Sequence, residues 1–245
     1  DNPFFARAVV NRVWAEFFGR GIVDPVDDFR ASNPPSNEPL LEALARDFVA
    51  HGYDLKHLMR TILQSHLYQL SSLPNEYNVG DTRNFSRAYR RRLPAEVLLD
   101  AVADVTGTPG TFPGLPMGAR AKDTWNYKIS SEFLDAFGRP NSSSDCPCER
   151  DVKPSVVQAL HLMNSNALQS RIAGASGRAK QWAAGDRSSK DIVTELYLTA
   201  FSRFPTPEEL SVASRAFAAP EATRQTATED ILWALLNTAE FVFNH

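Results

Sequence analysis

At 245 residues, with 43% hydrophobic, 22% charged and 10% aromatic residues, the chain has the composition of a folded globular protein, not of a disordered or fibrous one. Lys and Arg number 26 against 29 Asp and Glu, a formal charge of −3 that argues against a nucleic-acid-binding surface. No apolar run approaches the ~20 residues that span a bilayer, in keeping with a mean hydropathy of −0.31.

The opening Asp1-Asn2-Pro3-Phe4-Phe5 carries neither an initiator Met nor a signal segment and reads as the interior of a longer polypeptide. Phe5, Val9, Val13 and Phe17 recur every fourth residue, with Val10, Trp14 and Phe18 beside them, so a helix with one wide apolar face is expected over 4–18. Gly19 and Gly21 close it, and 24–37 reads as loop. Ser36 or Asn37 is placed to cap a helix through Leu40, Leu41, Leu44, Phe48 and Val49, and Asp54 to cap a second through Leu55, Leu58, Ile62 and Leu67. Together these make a helical hairpin. Residues 73–88 read as a polar excursion, and a helix is expected from Pro94 through Val105.

Composition then shifts. Seven of the twelve residues from 107 to 118 are Gly or Pro, which neither a helix nor a central strand accommodates. Residues 123–131 alternate like a short strand, 132–137 make a turn or two of helix, and 139–153 read as loop. Helices are expected again from Pro154 through Leu168, from Ser188 or Ser189 through Phe201, from Thr206-Pro207-Glu208-Glu209, and from Thr226 or Thr228 through Phe241. The expected architecture is mostly α. About eight helices form one domain over 1–245, with N-terminal helices in 1–106, an irregular segment in 107–153 and C-terminal helices in 154–245.

Several segments stand out as motifs in a fixed order: Asn2-Pro3-Phe4-Phe5-Ala6-Arg7, Asn11-Arg12-Val13-Trp14, Phe18-Gly19-Arg20-Gly21-Ile22-Val23, Pro25 to Phe29 and Asn33-Pro34-Pro35-Ser36. Further along come His51-Gly52-Tyr53-Asp54-Leu55-Lys56, Arg91-Arg92-Leu93-Pro94-Ala95-Glu96, Gln158-Ala159-Leu160-His161-Leu162-Met163-Asn164, and Trp233-Ala234-Leu235-Leu236-Asn237 leading to Glu240-Phe241. Together, in this order, these segments resemble a planctomycete-specific family, the domain of unknown function 1553, and the resemblance implies context more than chemistry. It implies an exported, periplasmic or extracellular protein in which this domain follows others, including a cytochrome-c-like domain. Any haem would lie in that neighbour, and no cofactor is expected in this chain. The resemblance brings no catalytic residues with it.

Candidate sites follow from residue type. Cys146 and Cys148 are the only cysteines, too few and too close for a disulfide framework. They read as a structural clip, a redox pair, half of a metal site or two idle thiols, and the Cys146-Pro147-Cys148-Glu149-Arg150 stretch looks like a subgroup feature. Arg139 and Arg150 flank the start of the Pro154 helix and could hold an anion, or simply pin the loop against Asp145, Glu149 and Asp151. Trp125 and Tyr127 could offer a stacking surface to sugars. Arg91 and Arg92, with Arg83, Arg87 and Arg90, form a basic cluster suited to docking on an acidic domain or polysaccharide.

The remaining patterns are weaker. His51, His57, His66, His161 and His245 are scattered, and His57 and His66, nine apart, fall on opposite faces of one helix. Asp24, Asp27, Asp28 and Glu16 match no calcium-loop spacing, so no metal site is expected. The leading functional expectation is a binding or docking module acting on a neighbouring domain or an extracellular polysaccharide, with no nucleic-acid partner. The competing expectation is a redox or hydrolytic enzyme component using the cysteine loop or a carboxylate site, and a purely structural domain stands third.

Overall fold

The computed structural model describes residues 2–124, 129–140 and 155–244. It is mostly α, with twelve helices and one two-stranded sheet among the described residues. The chain divides into two compact units, one running through Arg91 and the other from Arg92 to Asn244.

The first unit holds α1 (Pro3–Phe18), α2 (Glu38–Ala50) and α3 (Leu55–Leu63). Each starts on an Asx cap: Asn2, Asn37 and Asp54 accept from backbone N–H groups of the first turn. Val10, Trp14, Phe18, Leu41, Phe48, Leu58 and Ile62 are buried together, each worth roughly 1.5–3 kcal/mol of transfer free energy. The Trp14 and Phe18 rings stack at 4.2 Å, and Phe85 from the long polar excursion meets both edge-on at 5.5 Å. Asn11 on α1 is wholly buried and ties down the loop after α1: its amide donates to the carbonyls of Val23 and Val26 and accepts from the Val23 N–H.

The second unit is built on α4 (Ala95–Thr106) and α11 (Arg224–Leu236), with α5 (Glu132–Ala136), α6 (Val156–Asn164), α7 (Asn166–Ile172), α8 (Arg178–Ala184), α9 (Ser189–Phe201), α10 (Pro207–Ser214) and α12 (Ala239–Val242) around them. Its core includes Leu98, Val102, Leu134, Phe137, Ile172, Ile192, Leu196, Leu232 and Leu236. Arg92, which opens this unit, lies in β1 (Arg91–Arg92), paired with β2 (Phe243–Asn244) in a minimal sheet, beside which the Leu93 N–H donates to the Val242 carbonyl.

Between 107 and 118 there is neither helix nor strand. Gly107, at φ +69°, ends α4 in the left-handed region. The buried carboxylate of Asp100 on α4 then accepts from the Ala121 and Lys122 N–H groups, anchoring the segment's far end.

Four expectations are corrected. The strand over 123–131 is not formed at its described ends, because Ala121–Asp123 is a 3-10 turn and Ser131 caps α5. The helix expected through Leu67 stops at Leu63, where the Ser65 hydroxyl donates to the Ile62 carbonyl and competes with the ladder. The run from Pro154 through Leu168 breaks at Ser165, which ends α6 and caps α7. The last helix starts earlier, at the Thr223–Thr226 capping box, and breaks at Asn237 before Thr238 caps α12. Such breaks, plus the unanticipated α8, turn about eight expected helices into twelve described ones.

Candidate functional site

Within the second unit a cleft of about 380 Å³ opens between the starts and ends of several helices, at the small end of the range for ligand sites. Arg92 of β1 and Phe137, which ends α5, form one side. Gln158, Leu162 and Met163 of α6 form another. Trp233 and Asn237 of α11, Thr238, and Val242 and Phe243 after it complete the wall.

Local structure places each group. Ser155 and Gln158 form a capping box, so the Gln158 side chain is turned back against the first turn of α6. Asn237 ends α11 and donates its amide to the Trp233 carbonyl at 2.8 Å. Its Oδ1 takes no donor among the described residues. Arg92 is 6% exposed; it donates to the carbonyls of Phe137 (2.8 Å) and Leu93 (3.1 Å), and its guanidinium stands 5.5 Å from the centre of the Phe137 ring. The Trp233 indole N–H is buried and without a hydrogen-bond partner among the described residues.

The chemistry of the wall is one-sided. Phe137, Leu162, Met163, Trp233, Val242 and Phe243 supply apolar surface, Ser155, Gln158, Asn237 and Thr238 supply neutral polar groups, and Arg92 is the one cation among the described residues. None of its described lining residues is a carboxylate or histidine. Such a surface can desolvate and orient a neutral or anionic ligand.

A second, smaller hollow of about 280 Å³ is lined by Glu132, Phe133, His161, Arg171 and Phe112, among others. The His161 ring lies edge-on to Phe133 and Phe137 at 5.6 and 6.2 Å and makes no side-chain hydrogen bond among the described residues, so no nucleophile–base pair is set up there. Arg171 donates to the Thr108 carbonyl while the Thr108 hydroxyl donates to the Arg171 carbonyl, a mutual clamp on the Gly/Pro-rich segment. Burial pulls the Arg171 guanidinium below its ordinary pKa.

Of the residues singled out in the sequence, Cys146, Cys148, Arg150, Trp125 and Tyr127 lie outside the described residues. Arg92 lines the cleft. Arg91 is half-buried in the first unit, its stem against Gly19 and its guanidinium donating to the Glu16 carbonyl. Arg139 is nearly buried, donating to the Ile129 carbonyl and to Asp135.

Their basic neighbours are also engaged locally. Arg83 reaches the Pro34 carbonyl, Arg87 lies over the Tyr89 ring and Arg90 reaches Ser72. The acidic loop is similarly taken up, Asp24 pairing with Arg20, Asp27 with Arg12 and Asp28 with Arg30. Gln158, Trp233, Asn237 and Phe137 had no chemical signature in the sequence. The signal that touches three of them is positional, since three of the resembling segments, at 91–96, 158–164 and 233–237, each contribute to this one cleft.

A family model described as PSD1, protein of unknown function (DUF1553), matches residues 1–217. The chain belongs to that family. The matched PSD1 span takes in Arg92, Phe137 and Gln158 but ends before Trp233 and Asn237, so the α11 wall of the cleft lies beyond it. No curated protein and no solved structure matches the chain.

Proposed function

We propose that this PSD1 domain is a binding module that takes an apolar peptide segment of a neighbouring domain of its own polypeptide into the cleft of the second unit. One observation carries the reading: among the described residues, a mainly apolar wall bears a single arginine and several neutral polar groups, with no acid or base. Apolar side chains of the segment would fill the space between Phe137, Met163 and Trp233, while the Asn237 Oδ1 meets a backbone N–H of the segment. A polysaccharide fits less well, because sugars require denser hydrogen bonding than this wall offers. The redox or hydrolytic alternative gains no support from His161, which has no hydrogen-bonded partner among the described residues. The setting belongs to the same proposal: an exported protein in which the neighbour includes a cytochrome-c-like domain.

The test is a selection of displayed random peptides on the intact chain, followed by titration with the winners and, in parallel, with soluble oligosaccharides. Peptides sharing an apolar pair, displaced from wild type but not bound by Met163→Lys or Asn237→Leu, support the reading. Oligosaccharide binding lost in the same variants would replace it with a glycan site, and no binding of either class would overturn it.

A further inference from the structure

The α2–α3 hairpin brings together three side chains that are dispersed in the sequence. Asp47 and His51 are four apart at the end of α2 and so share a face. Gly52 and Tyr53, both at φ +63°, reverse the chain, and Asp54 caps α3. This turn lays His57, in the first turn of α3, directly over His51, with ring centres 3.7 Å apart and planes 18° from parallel. The Asp47 carboxylate bridges the edges of the two rings, Oδ1 3.2 Å from His51 Nδ1 and Oδ2 2.8 Å from His57 Nε2. One donor atom from each of the three residues falls within 4.8 Å of the others.

We propose that Asp47, His51 and His57 form a binding site for one divalent transition cation of the zinc type. Ligands at about 2.0–2.1 Å from a tetrahedral zinc are separated by roughly 3.3 Å, close to the 2.8 and 3.2 Å separations already present. Two imidazoles and one carboxylate suit zinc and its first-row neighbours, not calcium or magnesium, which take oxygen ligands. Among the described residues no Lys or Arg pairs with Asp47, so the carboxylate's side-chain partners are the two rings. Asp54 adds a second negative charge beside His57: it accepts the His57 and Lys56 backbone N–H groups, which hold it below its ordinary pKa. His51 is about half exposed, so the remaining coordination positions open to water.

Binding has definite consequences for these residues. Each ring must present a lone pair at the nitrogen that faces Asp47, so any proton on that nitrogen moves to the other ring nitrogen or leaves as the cation enters. His51 also gives up a contact of 2.9 Å between Nδ1 and the Asp47 carbonyl. Both rings turn about χ2, a soft torsion, to leave the parallel stack and aim at a common point. The product is a metal staple joining the end of α2 to the start of α3, with an open position for exchange.

The test uses the whole chain without an affinity tag, titrated with zinc and cobalt(II) by calorimetry and by cobalt absorption. Companion variants are His57→Gln, Asp47→Asn, His66→Gln and the Cys146→Ser/Cys148→Ser pair, with circular dichroism confirming that each folds. The expected result is one equivalent bound, affinity reduced at least tenfold in His57→Gln and Asp47→Asn, and no change in His66→Gln or the double Cys variant. Binding that survives His57→Gln and Asp47→Asn, binding lost only with the cysteines, or no binding by wild type would each overturn the proposal.

Discussion

The guanidinium of Arg92 donates to the main-chain carbonyl of Phe137 at 2.8 Å and stands 5.5 Å from the centre of that residue's own ring. One planar fork thus fixes the end of α5 and shapes one wall of the cleft. A lysine can supply the charge but neither the fork nor the flat stacking face. Arg92→Lys is expected to cost about 1–2 kcal/mol, and Arg92→Met about 2–3 kcal/mol because it strands a buried carbonyl. Urea denaturation at neutral pH measures both, and an Arg92→Lys variant as stable as wild type would show that the geometry of the fork is not what matters.

Asn11 makes an analogous connection in the first unit, with three hydrogen bonds from one wholly buried amide to Val23 and Val26. Asn11→Leu keeps the volume and removes every partner at once. The expected loss is about 3 kcal/mol, from buried backbone groups of the loop left without a mate. A loss under about 1 kcal/mol would mean that water replaces the amide and the loop is not pinned by it.

What the sequence revealed of this architecture was its local part. Thr206-Pro207-Glu208-Glu209 announces a helix start, and the Thr206 hydroxyl does accept the Glu209 N–H. The Gly/Pro-rich stretch from 107 was legible as irregular because its residues can satisfy neither ladder. Short breaks were harder, since Ser165 and Thr238 are common mid-helix residues until the turn they cap is known.

The cleft was illegible for a different reason. Arg92, Phe137, Gln158 and Trp233 span most of the second unit's sequence, and only packing decides that they meet. His57 could be compared with His66 on its own predicted helix, but its actual neighbour, His51, belongs to the preceding one and needs the geometry of the hairpin turn.

Gly19 illustrates how one position can carry two constraints. It ends α1 at φ +73°, donating to the Ala15 carbonyl, and a Cβ built there would run into the stem of Arg91. Left-handed strain alone costs an L residue about 1 kcal/mol. Gly19→Ala is therefore expected to lose about 2 kcal/mol, of which the part owed to the clash returns in Gly19→Ala/Arg91→Ala. A double-mutant cycle on thermal or urea unfolding reads the coupling. Strict additivity would show that Arg91 simply moves aside.

The acid side of the stability profile turns on Arg203. Its guanidinium holds Glu209 through two bonds of 2.8 Å and Glu240 through bonds of 2.6 and 2.7 Å, while lying 5.4–5.5 Å from the centres of the Tyr197 and Phe201 rings. The hydrogen bonds from Arg203 are the main cause that lowers the Glu209 carboxyl from 4.5 to about 2, aided by the Thr206 N–H. A carboxyl whose pKa falls on folding stabilises the native state above its unfolded pKa. That contribution fades as pH drops toward the folded value, because the unfolded chain takes up the proton first.

Native stability should therefore decline between about pH 4.5 and 2 on account of this group. Because Arg203 and Glu209 are each about one-third exposed, solvent screens the pair. Glu209→Gln should then cost only about 1 kcal/mol at neutral pH. Asp28, Asp54, Asp81 and Asp191 are also held below their ordinary pKa by hydrogen bonds, so wild type alone cannot assign the slope. The difference between wild type and Glu209→Gln can: it should shrink steadily from pH 5 to about pH 2. A difference that stays constant across that range would place the stabilisation in packing around Arg203 and not in the ion pair.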